Sequence, residues 1–583
     1  MIDPSHSKSQ SPIEASAVET IQHNYPSRIW ILVIFAVSTI PQLKSVAQTN
    51  WTPSMSALSA DEAVNEQTLR GHIRFLSDDL LEGRGPATRG DELAQLYIST
   101  QLQAYGLLPG GNNGSWRQEV PLVGVTSHPP TTISFRTSDK ELSLTHHSDI
   151  MLVSGKAEPR VEFQDAELVF VGYGIQAPEF QWDDFKDVDL RGKVLVIMNN
   201  DPEDDPELFA GRRRLYYGRW DYKYEMAARI GAAGALIIHT TPSAGYPFQV
   251  VQTSWSGEES ELAGQTGPRV DVKGWLTEEA TYRLMQLAGQ DLDKLREQAQ
   301  HREFRPVPLG IQLSVAMETT CRTQSSANIL GILPGTDEKL RDEYVVFMAH
   351  HDHIGLAVSR DENGDNIYNG AIDNASGTAS VLTIARAISS MPERPKRSIL
   401  FAFVAAEEQG LLGSKYYAAH PTIHPGNLAA VINIDGINWL GKTYDLNLIG
   451  NGKSDLDTLV ESVAKWQKRT VVPDYFPDRG YYYRSDQFSL AKVGVPGVYL
   501  HNGINVVGRP DGWGKTMIED WTEKHYHQPS DEYDPNWDLA GALDDVRLLM
   551  HVGLEVAAQP NMPAWKSGDE FEAARKAAIA GRP

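Results

Sequence analysis

Between Tyr344 and Asp435, three apolar runs each stop at side chains suited to holding a cation. Tyr344-Val345-Val346-Phe347-Met348-Ala349 stops at His350-His351-Asp352-His353. Ser398-Ile399-Leu400-Phe401-Ala402-Phe403-Val404 passes through two alanines into Glu407-Glu408, and Ala429-Ala430-Val431-Ile432-Asn433-Ile434 stops at Asp435-Gly436. A loop carrying Asp373 lies between the first two runs, and His527 sits far downstream in His525-Tyr526-His527-Gln528. The candidate ligands are therefore His350, Asp373, Glu408, Asp435 and His527, with Glu407 left over. Two imidazoles and three carboxylates suit a pair of borderline divalent ions, zinc best. One carboxylate must then bridge ions held ~3.5–4 Å apart. Such a site supplies a Lewis acid, a water of lowered pKa and a spare carboxylate as general base. In an extended run Glu407 and Glu408 would point opposite ways. A turn at the strand end lets one bind metal while the other holds the water. Asp352, two residues past His350, is placed to accept the imidazole's other N–H.

The elements that must position these groups are legible in the same runs. Continuous β-branched and aromatic stretches read as strands buried on both faces, the habit of parallel sheets. In open α/β sheets ligands bind beyond the carboxyl ends of the strands, so the candidate ligands should converge on one rim. Each feature alone is weak: a Glu pair is usually solvated, and Asp-Gly is an ordinary turn. Their force lies in several such positions at strand or loop ends within one domain. Residues 65–76 and 91–105 read as helices ahead of this region. Residues 125–315 form a different block, with strands at 166–175, 193–198 and 235–238 and a helix at 222–230. His239 there reads as structural, since a lone histidine needs partners to count as a site. Gly172-Tyr173-Gly174 lacks a third glycine and reads as a turn. The α/β pattern resumes at Ser326 and runs to about 558, followed by a polar tail that reads as a frayed helix or unstructured.

The chain has 583 residues, enough for more than one domain, and one cysteine, Cys321. No intrachain disulfide and no Cys-rich zinc site can form, so a metal must rest on His and carboxylate. A net charge of −23 disfavours nucleic acid or an anionic membrane as partner. The apolar run Ile29 to Val37 follows Arg28 and is too short for the ~20 residues of a membrane span. It fits a signal-peptide core, with Ser45-Val46-Ala47 as a small-x-small cleavage site. The expectation is export, periplasmic or secreted, with an uncleaved anchor as the alternative and no membrane span in the mature chain.

The wording around these residues resembles the M28 family of zinc peptidases. The matching pieces are Ala349-His350-His351-Asp352-His353-Ile354-Gly355, Gly370-Ala371-Ile372-Asp373-Asn374-Ala375-Ser376-Gly377, Ala405-Ala406-Glu407-Glu408-Gln409-Gly410, Asn433-Ile434-Asp435-Gly436 and Tyr526-His527-Gln528-Pro529-Ser530-Asp531. The resemblance covers roughly residues 60–125 and 320–558. It implies a zinc-exopeptidase-like α/β fold, with a mixed, mostly parallel central sheet flanked by helices. It also implies an inserted β-rich protease-associated (PA) domain. The expected organisation is 1–47 signal or anchor, 48–124 N-terminal helices, 125–315 PA domain, 316–560 peptidase domain and 561–583 tail. For the site it implies two Zn2+ per chain, with His350, Glu408, Asp435 and His527 as terminal ligands and Asp373 as the bridge. Glu407 becomes the general base and Asp352 a supporting residue, and the Asp373–Asn374 peptide is expected to be cis. Tyr526 is a candidate oxyanion donor or a packed aromatic, and Tyr481, Tyr482 and Tyr483 are candidates for the pocket wall or a turn. Ile372 and Gln487 stand where the family commonly has Asp and His; Gln487 is expected to alter substrate contacts, and His351 and His353 to be rim residues. The implied activity is aminopeptidase action on peptides with a free N-terminus. A carboxypeptidase, another amidohydrolase, a glutaminyl cyclase and a non-catalytic receptor-like protein are the alternatives.

Overall fold

The computed structural model describes residues 51–203, 205–357, 360 and 364–582. The apolar run at 29–37 lies outside them. The three apolar runs form adjacent parallel strands, and their unbroken apolar stretches match a sheet covered on both faces. Ser398–Val404 pairs in parallel with Tyr344–His350, which pairs in parallel with Leu428–Asn433. Gly497–His501 extends the sheet in parallel, Asp445–Ile449 joins it antiparallel, and the end of Val307–Leu333 closes the other side antiparallel. The sheet is thus mixed and mostly parallel. Helices Gly377–Ser389 and Ala540–Ala558 and strands of the sheet share one apolar core, with Val345, Phe347, Phe401 and Ile432 fully buried. The helix Glu66–Leu76 is capped by the Asn65 side chain and buries Leu69, Ile73 and Leu76 on one face.

A second core gathers Ile133 through Met317. It is built on a parallel ladder of Val194–Met198, Gly234–His239 and Val272–Thr277, joined by longer antiparallel strands. The two cores are connected through a single 27-residue strand, Val307–Leu333, and its partner Arg117–His128. Along the long strand the environment changes. Leu309, Ile311, Leu313, Val315 and Met317 alternate with exposed residues, whereas Ala327 to Leu330 are buried without a break. One strand therefore serves a sheet with one wet face and then a sheet covered on both. The expected borders at 124/125 and 315/316 fall inside these two strands, so the crossings are continuous sheet and not linkers.

The C-terminal residues end in a helix, one of the two forms expected of the tail, and are anchored to the fold. Trp565 and Phe571 pack with Tyr482, Tyr483 and Phe488, and a helix follows at Glu572–Ala580. Arg575, almost fully buried, donates to the Leu428 carbonyl at 2.8 Å. Sparse apolar spacing in this segment hid two large anchors.

Candidate metal centre

His350 is the last residue of its strand and is paired with Val404, so the three runs end at one edge of the sheet. Glu407 follows that edge through Ala406, which takes a positive φ of 52°. This left-handed residue makes the turn that lets both glutamates face the same crevice. Asp352, fully buried, accepts from the amides of Glu407 at 3.1 Å and Glu408 at 3.4 Å. Its Oδ1 lies 3.7 Å from His350 Nδ1, too long for a hydrogen bond. Its main contact is thus with the glutamate turn, and its approach to the imidazole is secondary.

The donor atoms fall into two triads that share Asp373. His350 Nε2 is 3.3 Å from Asp373 Oδ1 and 3.3 Å from Asp435 Oδ1. His527 Nε2 is 3.3 Å from Asp373 Oδ2 and 3.0 Å from Glu408 Oε2. Ligands ~2.0–2.1 Å from a tetrahedral ion stand roughly 3.3–3.4 Å apart, a spacing these His–carboxylate distances approach, and His350, Asp373 and Asp435 offer three donor atoms within 4.8 Å of one another. His527 Nε2 is buried and faces carboxylate oxygens within 3.3 Å, which suits a nitrogen sharing a cation with them. The four carboxylates Asp373, Glu407, Glu408 and Asp435 share this largely buried space, where uncompensated charge is costly. Two divalent ions would neutralise them. The crowding of these carboxylates shows in the proton affinities. Burial, with Glu408 and Asp435 adding to it, pushes Glu407 well above the usual carboxylate range against the pull of His350. Burial works against the charged form of His350, yet Glu407, Asp352, Asp373 and Asp435 hold its pKa well above normal.

The loop around Asp373 is fixed from several sides. The Asp373–Asn374 peptide is cis. Asp531 accepts from the amides of Ile372 and Asp373, both at 3.0 Å. Asn374 accepts from the amides of Gly377 and Gly436 and donates to the Ile434 carbonyl, tying the Asp373 loop to the Asp435 loop. Gly370 has φ 54°, and a Cβ there would collide with the Asp373 carbonyl and the His353 ring. The fully buried Arg84 donates to the carbonyls of His351, Leu76, Asn369 and Gly370. Ser485 Oγ donates to Asp435 Oδ2 at 2.6 Å.

Several sequence expectations change here. His351 and His353 are not rim residues: each is 1% exposed or less. His351 Nε2 meets Asp91 at 3.0 Å, and His353 Nδ1 meets Glu408 at 2.6 Å, with His353, Asp373 and Glu408 offering three donor atoms within 4.8 Å of one another. Gln487 does not face substrate. It is fully buried, accepting from Asn433 and donating to the Tyr482 carbonyl. Of the three tyrosines, Tyr481 lines the cavity beside the carboxylates, whereas Tyr482 and Tyr483 belong to the aromatic core. Tyr526 stands at the cavity wall with its ring against His527, centroids 4.0 Å apart, and its hydroxyl accepts from Arg484 at 2.9 Å. Sequence reasoning missed Arg84, Asp531, Ser485 and Arg484. Asp531 had a signal, as the last residue of the Gln-Pro-Ser-Asp stretch after His527, and Arg484 and Ser485 stand in the stretch that carries Gln487.

The cavity itself holds about 150 Å³ and runs from the carboxylates along Ile437, Trp439, Phe476, Ile518 and Trp521. An apolar pocket ending at clustered carboxylates and imidazoles on the carboxyl edge of a mostly parallel sheet is where an α/β fold binds a ligand. Residues 328–550 match the profile of peptidase family M28. Aminopeptidase NAALADL1 of Mus musculus is 35% identical over 111 residues, 18% of this chain and 13% of that protein. Aminopeptidase YwaD of Bacillus subtilis (strain 168) is 37% identical over 97 residues, 17% of this chain and 18% of the relative. The matches thus span a small part of these relatives. Among solved structures, an aminopeptidase from Aneurinibacillus sp. strain AM-1 superposes with a TM-score of 0.52 at 19% identity, covering 87% of this chain and 97% of that one. That likeness is one of fold.

Proposed function

We propose that the chain is a di-zinc aminopeptidase that removes N-terminal residues from peptides. The observation that carries this reading is the pair of donor triads sharing Asp373, with Glu407 beside them and its Oε2 4.0 Å from His350 Nε2. His350 and Asp435 would hold one zinc, His527 and Glu408 the other, and Asp373 both. Zinc bound there supplies a Lewis acid and lowers the pKa of water. Glu407 takes the proton of the attacking water and returns it to the leaving amine. The Tyr526 hydroxyl, polarised by the Arg484 guanidinium, donates to the developing oxyanion. The free α-amino group is drawn to the carboxylate cluster, and the apolar pocket favours a large apolar first side chain. The names of the relatives, aminopeptidases from mouse and Bacillus subtilis, support the same reading.

The block at 125–315, with its own core, is proposed to be a PA domain. Export is proposed from the apolar run at 29–37 and the small-x-small site at 45–47. Among the described residues, no helix is long and apolar enough to cross a membrane. The test of the site is metal stoichiometry. Wild type should carry about two zinc ions per chain, as two-metal sites require, and Asp373→Ala should lose both together. Retention of a full complement by Asp373→Ala would refute the bridge.

A further inference from the structure

The positioning partners of the proposed ligands mostly come from the same half of the chain as the ligands. Ser485 holds Asp435, His353 holds Glu408, and Asp531 holds the Asp373 loop. His527 is different. Its Nδ1 lies 2.9 Å from Ser254 Oγ, and Ser254 belongs to the inserted block, 273 residues away in sequence. Among the described residues, no other hydrogen bond to this nitrogen is seen. We propose that the inserted block completes the metal centre: Ser254 is a positioning residue that fixes the ring of His527 so that Nε2 faces Asp373 and Glu408.

The inference rests on the two-zinc reading of the site. A ligating Nε2 must present its lone pair, which leaves the proton on Nδ1. Nδ1–H then donates to Ser254 Oγ, and this bond selects both the tautomer and the ring rotation. His527 itself sits at φ 56°, in the left-handed region. The hold is firm at its other end. Ser254 closes the helix Phe248–Ser254. The next residue, Trp255, is wedged among Trp220, Tyr224 and Trp275, with ring centroids 5.8–6.3 Å apart. Two further contacts run along the same seam. Gln249 donates to Gln528 at 3.0 Å, and Tyr246 packs its ring 6.2 Å from that of Tyr526 while facing the Arg484 guanidinium. The inserted block thus reaches the residues on either side of His527 as well as the ligand itself.

The experiment is a competitive chelator titration of zinc from the purified full chain, comparing wild type with Ser254→Ala, Ser254→Thr and Thr253→Ala. Loss of a partner to a ligating histidine commonly costs roughly 10–100-fold in metal affinity. Ser254→Ala should therefore release one of its two ions about 10–100-fold more readily, turning release biphasic. Ser254→Thr, which keeps the hydroxyl, should restore the wild-type curve. Thr253→Ala removes a neighbouring helix hydroxyl that bonds only within the helix, and should leave release unchanged. Equal melting temperatures of the metal-free wild type and Ser254→Ala proteins would separate positioning from a folding defect. Wild-type affinity for both ions in Ser254→Ala would overturn the inference while leaving the two-zinc reading standing. Failure of wild type to take up zinc would overturn both.

Discussion

At the scale of single residues, the site separates groups that would hold metal from the one that would move a proton. Glu407 and Glu408 are neighbours in sequence, yet Glu408 lies 3.0 Å from His527 Nε2 whereas Glu407 stands back, 4.0 Å from His350. Glu407→Gln keeps the shape and removes the base. It should retain two zinc ions, by elemental analysis, and lose turnover by roughly 10²–10⁴-fold, the worth of general base catalysis. Undiminished turnover would remove Glu407 from that role. The residues that end strands at this edge, His350, Glu407, Glu408 and Asp435, could be picked out of the sequence because each follows an apolar run. Ser254, Arg84 and Ser485 could not. Their partners lie tens to hundreds of residues away, and a lone Ser or Arg carries no local pattern. His353 was misjudged for a related reason: a polar cluster reads as surface until the glutamate that buries it is placed.

At the scale of elements, turns decide which side chains meet. The left-handed Ala406 and Gly370 aim the glutamate pair and the Asp373 loop. The parallel strands that carry them were readable from unbroken apolar stretches, since burial on both faces removes polar alternation. The strand Val307–Leu333 was harder, because its pattern switches from alternating to continuous within one element. The C-terminal segment was harder still. Trp565 and Phe571 are isolated apolar residues in a polar stretch, and their burial depends on a cleft formed by Tyr482, Tyr483 and Phe488. Phe571→Ala should therefore destabilise the fold by about 3–5 kcal/mol, the usual cost of emptying a buried Phe site. Urea unfolding would measure it, and a loss under 1 kcal/mol would return the segment to the status of a loose tail.

At the scale of the whole molecule, two cores share one long strand, and acid stability follows from histidines buried in each. Burial, aided by Arg386, lowers His72 to about 4, and burial lowers His239 to about 4. Both are neutral in the fold, whereas an unfolded histidine titrates near 6.5. Between about pH 6.5 and 4 the unfolded chain therefore binds protons that the folded chain refuses. Stability present above pH 6.5 is lost as pH falls through this window. For His72 the loss between pH 7 and 5 is on the order of 2 kcal/mol. His72→Gln cannot titrate, so its unfolding free energy should fall by about that much less over the same interval; an unchanged pH dependence would show that His72 charges inside the fold.

The most direct test of the proposed activity is hydrolysis of a leucyl-amide substrate and its N-acetylated counterpart by the full chain, before chelation, after it, and after zinc is restored. A metal-dependent aminopeptidase cleaves the free amine, ignores the acetylated form, falls silent on chelation and recovers with zinc. Equal cleavage of both substrates, or activity that survives complete removal of metal, would contradict it.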